Sequence, residues 1–140
     1  MDKIIEEFIP YPEALCLKKL GFNKECIAIF VEKRLEIHGK TSLNSLENDG
    51  LTNSNLNTDK IITAPTFSQA FRFFRNNYNL DNNIKKLHFG ENSIFTGYYC
   101  TINENNNIKF IHGADECTKT YEECELKCLQ ELIKIANKIK

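Results

Sequence analysis

No stretch of the chain approaches the run of about 18 apolar residues that a membrane-spanning helix needs, so a membrane role is not expected. The opening segment MDKIIEEFIPYPEAL carries acids where a secretory signal needs bases, and the chain has no Asn-x-Ser/Thr sequon. A cytoplasmic protein is expected. With Lys+Arg 18 against Asp+Glu 19 there is no excess charge of either sign, which disfavours nucleic acid and anionic lipid as partners. Six cysteines without a signal or any Cys-x-x-Cys spacing are expected to be reduced rather than paired or zinc-bound. There is no tryptophan and Arg occurs three times, against 17 Asn, 16 Ile and 15 Lys, the codon bias of an AT-rich genome. No catalytic or cofactor motif stands above background.

What is present is enough for a folded core. Hydrophobic residues make up 41% and aromatics 11% of 140 residues, which excludes a disordered solvating chain and suits one domain spanning 1–140. Pro12 and Glu13 suit the start of a helix, Lys18 and Lys19 its end and Gly21 its left-handed exit, predicting a helix over 12–20. Alternation of Ile27, Ile29, Val31, Leu35 and Ile37 with polar neighbours predicts one half-buried strand, with Lys33 the only misfit. Residues 39–60 are dominated by Gly, Ser, Thr, Asn and Asp without a period, and are expected to form a mobile loop, an insertion or a binding lid.

Thr63 as cap and Pro65 at the first turn predict a second helix over 65–79, with Phe67, Phe71, Phe74 and Tyr78 on one core stripe and Phe73 off it. A short strand is expected at 85–89, then a hairpin of 94–103 and 108–112 across Glu104 to Asn107. Thr120-Tyr121-Glu122-Glu123 reads as a capping box opening a helix over 120–138. That helix places Cys124, Cys128, Leu132, Ile135 and Ile139 on one face, widened by Leu129 and Ala136 and flanked by Leu126 and Ile133. The order α-β-loop-α-β-β-β-α lacks regular βαβ units, so the expected fold is α+β: a small, mainly antiparallel sheet with helices on one face.

Functional candidates are few. Cys117, Cys124 and Cys128 are metal ligands in principle, but the last two lie on the core stripe and are read as packing. His112 to Cys117 gathers an imidazole, two carboxylates and a thiol, yet the acids around it would raise the thiol pKa, so no catalytic residue is assigned. From residue 65 to 139 the element order resembles that of a double-stranded-RNA-binding domain. Where that family presents basic residues to phosphate, this chain has Glu122 and Glu123, so a nucleic-acid-binding module remains an alternative only.

Pro12-Glu13-Ala14-Leu15 through Leu20-Gly21-Phe22, Ile62-Thr63-Ala64-Pro65 with Gln69 to Arg75, and Tyr121 to Glu125 with Cys128-Leu129 together resemble small phage- and prophage-borne proteins of Bacteroidetes-type hosts. The resemblance spans most of the chain outside 39–60. It implies a genomic setting and transfers no site residue. The expected function is a non-enzymatic phage or mobile-element accessory protein, without cofactor or metal, binding a host or viral protein or itself through Phe73, Leu126 and Ile133. The alternative is counter-defence by sequestering a nucleotide signal, with Tyr98 or Tyr99 and Arg72 or Arg75 as ligand-binding residues and the 39–60 loop as a lid.

Overall fold

The structure, a computed structural model, describes residues 6–37, 51–56, 60–89, 94–111 and 117–139, without the side chains of 89, 94–96, 110 and 111. The chain is α+β and divides into two compact units, Met1–Ala70 and Phe71–Lys140. The antiparallel strands expected in one sheet are shared between two three-stranded sheets, one in each unit.

In the first unit, α1 spans Tyr11–Lys19, with a proline in its first turn, Glu13 near its positive end and Lys18 and Lys19 at its negative end. It ends in a Schellman motif. The Phe22 N–H donates to the Leu17 carbonyl at 2.9 Å and the Gly21 N–H to the Lys18 carbonyl at 3.1 Å, with Gly21 at φ +101°. Leu17 and Phe22, the apolar pair that accompanies this motif, are both buried.

The strand expected over 26–37 is instead a hairpin. β1 (Ala28–Val31) pairs antiparallel with β2 (Arg34–Ile37), and Glu32 and Lys33 turn the chain at φ 50° and 72°. Such mirror-image turns favour Asn and Gly, so a Glu-Lys turn leaves no compositional mark. Its geometry is backed from α1: the Lys33 ammonium lies 6.0 Å from the Tyr11 ring centroid, and that ring meets Phe30 edge-on at 5.6 Å. β3 (Ile61–Thr63) joins the other side of β1, giving the order β2-β1-β3.

The mobile loop expected over 39–60 is corrected at 51–56, while 38–50 and 57–59 lie outside the described residues. Leu51 bridges to Cys26, and Asn53–Leu56 forms a one-turn helix, α2. Asn53 is buried. Its amide Nδ2 donates to the Phe22 carbonyl at 2.8 Å and its Oδ1 accepts the Thr63 N–H at 2.9 Å. Asn23 Oδ1 in turn accepts the Ser54 N–H at 2.8 Å.

α3 spans Phe67–Tyr78, and the boundary between the units falls within it. Its cap is Thr66 and not Thr63, which belongs to β3. The Gln69 N–H donates to Thr66 Oγ1 at 3.1 Å while the Thr66 N–H donates to Gln69 Oε1 at 3.0 Å, a reciprocal capping box three residues beyond the expected cap. Phe67, Phe71 and Phe74 are buried as the stripe requires, and so are Ala70 and Phe73.

In the second unit, β4 (Leu80–Phe89), β5 (Ile94–Glu104) and β6 (Asn107–Ile111) form an antiparallel meander. β4 is twice as long as the strand expected at 85–89; its first four residues, Leu80-Asp81-Asn82-Asn83, are poor in strand formers and give no strand signal in the sequence. Asn105 and Asn106 make the hairpin turn with φ 52° and 69°, and Asn79 takes φ 57° at the exit of α3. The Asn79 side-chain amide donates to Asn105 Oδ1, tying that exit to the turn. α4 (Tyr121–Ile139) packs on β5 and β4. The Glu123 N–H donates to Thr120 Oγ1 at 3.1 Å, as the capping box requires.

Asn53→Ala removes one donor and one acceptor from buried backbone partners, so it is expected to cost about 2–4 kcal/mol of unfolding free energy. Denaturant titration checks this; a loss under about 0.5 kcal/mol, the range of neutral surface changes, would show 51–56 to be dispensable.

Candidate functional site

Directly opposed residues of an antiparallel pair share a face, so the register sorts the side chains of the second sheet. Tyr98 lies with Cys100 and Ile102 on the face packed by α4, opposite Lys86, Ile84 and Asn82. Tyr99 lies with Thr101 and Asn103 on the other face, opposite Lys85, Asn83 and Asp81. The Tyr98 ring meets Tyr121 edge-on at 5.7 Å. Arg72 and Arg75 are exposed on α3, where Arg75 Nε stands 4.0 Å from Asp81 Oδ1. Tyr98 and Tyr99 therefore serve opposite faces, so at most one of them can join a given ligand site, as the choice of Tyr98 or Tyr99 with Arg72 or Arg75 allows.

The interface expected at Phe73, Leu126 and Ile133 is also corrected. Phe73 and Ile133 are 6% and 7% exposed, and Leu126 is half-buried. Phe73 packs edge-on against Phe74 at 5.4 Å and Tyr78 at 5.8 Å. Counting one stripe per helix left these side chains without a place, whereas both helices bury a wider arc. On α4 that arc runs through Leu129, Ile133 and Ala136, and Ile139, assigned to the core face, is half exposed.

Three thiols of the second unit come together in a way that sequence reasoning missed. Cys100 on β5 hydrogen-bonds with both Cys124 and Cys128 of α4. All three are fully buried. The Cys124 hydrogen bond favours the Cys100 thiolate, but the Cys128 hydrogen bond, burial and the Cys128 and Glu131 charges outweigh it and push the thiol up to about 12. Cys124 is raised too, first by its hydrogen bond to Cys100 and then by burial. In the first unit burial lifts the Cys26 thiol to about 12. Thiols held protonated are neither nucleophiles nor ready metal ligands. None of the six cysteines is in a disulfide, and among the described residues no three His, Cys, Asp or Glu side chains are placed to hold a metal ion.

Of the segment 112–117, residues 112–116 lie outside the described residues. Thr118 exchanges backbone hydrogen bonds with Tyr98 at 2.7 and 2.9 Å, bringing the chain so close to Gly97 that a Cβ there would lie 2.6 Å from the Thr118 carbonyl oxygen. Only glycine fits at that position.

The chain matches no protein-family model, no curated protein and no solved structure. Among the described residues no helix is long and apolar enough to cross a membrane.

The thiols carry a pH dependence of known sign. Their unfolded forms ionise near 9.0 and the folded Cys26 and Cys100 near 12, so between these values the unfolded chain binds fewer protons. Stability is expected to hold below about pH 8.5 and to fall from pH 9 upward. The Cys26→Ala/Cys100→Ala variant should lose much of that slope in denaturant titrations at pH 8, 9 and 10; an unchanged slope would place its origin in other groups.

Proposed function

We propose that this chain is a non-enzymatic accessory protein of a phage or mobile element, acting in the cytoplasm by binding a host or viral protein or by assembling with itself. The genomic setting rests on the resemblance of the 12–22, 62–75 and 121–129 segments to phage-borne proteins. The non-catalytic part is supported by Cys100 and Cys124, buried thiols whose ionisation is pushed upward. Glu122 and Glu123, exposed at the start of α4, speak against phosphate as a partner.

The observation that carries protein contact lies in the first unit. Ile27 and Ile37 are 52% and 45% exposed, and the pairing of Ala28 with Ile37 puts them at one end of the β1–β2 hairpin. Single exposed apolar residues are ordinary; what favours a protein contact here is that exposed Ile37 lies on β2, an edge strand of its sheet.

A photo-crosslinking residue placed at Ile37 and activated in the native host cell is expected to give a discrete protein adduct. The same residue at exposed Asn76 of α3 should give none. Failure to form any adduct at position 37 would contradict the reading.

A further inference from the structure

The hydrogen bonds of the first sheet identify which backbone groups of β2 are open. The Ala64 N–H donates to the Ala28 carbonyl and the Glu32 N–H to the Lys60 carbonyl, both at 3.0 Å, so the even-numbered residues of β1 address the β3 side. Ile29 and Val31 therefore address β2, where their partners are Glu36 and Arg34. By alternation the N–H and C=O of Leu35 and Ile37 point away from β1 to the outer edge. β2 is the edge strand, and among the described residues no strand pairs with that side.

The side chains there carry a pattern of their own. Arg34 and Glu36 are exposed and form no ion pair among the described residues, and Leu35 between them is half-buried. Read in opposite directions, Arg34-Leu35-Glu36 is its own complement. A two-fold axis through Leu35 places Arg34 of each copy opposite Glu36 of the other, with Leu35 facing Leu35 as the hydrogen-bonded pair. Sliding by two residues one way puts Glu36 opposite Glu36, and the other way Arg34 opposite Arg34. Odd shifts mismatch the open backbone groups. Like charges directly opposite destabilise a strand pair, so one register is selected.

Resting on the reading that this hairpin makes protein contacts, we propose that its occupant is a second copy of this chain, adding β2 to β2 antiparallel about Leu35 to form a continuous six-stranded sheet. A charged, short edge strand also serves to block such pairing. What favours the second copy over an unrelated peptide is self-complementarity, which an arbitrary partner has no need of.

The test is sedimentation velocity of the full chain from about 5 to 500 µM, the range suited to a small edge-to-edge contact. A monomer–dimer equilibrium weakened by salt is expected. Arg34→Glu and Glu36→Arg, each creating two like-charge pairs, should each weaken dimerisation by about tenfold. The double variant Arg34→Glu/Glu36→Arg restores opposite charges and should return to within about threefold of the original. Thermal unfolding of dilute variants, unchanged from the original, separates lost pairing from lost folding. A strict monomer, or a dimer indifferent to the single reversals, overturns the proposal. A monomer whose position-37 crosslink captures another protein overturns it too, and leaves the broader reading standing.

Discussion

The first unit depends on one side chain that satisfies backbone groups from two separate elements. β3 is three residues long and lies at a sheet edge, a position from which short strands fray. The Thr63 N–H, turned away from β1, is received by Asn53 Oδ1, and the Asn53 amide holds the Phe22 carbonyl just past the Schellman exit of α1. Helix exit, one-turn helix and strand edge are thereby joined. An apolar residue of similar size would leave both backbone groups buried and unpaired.

That seal makes the two edges of the sheet differ. On the β3 side the outward donor is taken up within the chain. On the β2 side the backbone groups of Leu35 and Ile37 face outward beside Arg34 and Glu36. The second unit uses its polar residues differently: asparagines at Asn79, Asn105 and Asn106 occupy left-handed positions, and the thiols of Cys100, Cys124 and Cys128 fill the contact between β5 and α4.

How much of this was legible follows from the physics of each signal. Helix ends at 12–21 and 120–123 were readable because caps are local, and the 94–112 hairpin because its strands flank an Asn-rich turn. Thr63 and Thr66 compete as caps within four residues, and only tertiary pairing of 61–63 with β1 decides between them. The 26–37 hairpin was hidden because Glu32-Lys33 gives no turn signal and both its strands keep the same alternation. The role of Asn53 was hidden more deeply. In a segment of Asn, Ser and Thr, composition cannot tell a buried amide with two long-range bonds from its solvated neighbours. The thiol cluster was half legible, Cys124 and Cys128 from helical spacing, while Cys100 joins them only through the sheet.

The account's central claim is that the first sheet has one edge sealed by Asn53 and one left open for a second copy. Residue-resolved amide hydrogen exchange across a dilution series tests both halves together. The account predicts a Thr63 amide protected at every concentration, and Leu35 and Ile37 amides that exchange freely when dilute and slow as the protein is concentrated. Free exchange at Thr63, or protection of Leu35 and Ile37 that persists unchanged at the lowest concentration, would contradict it.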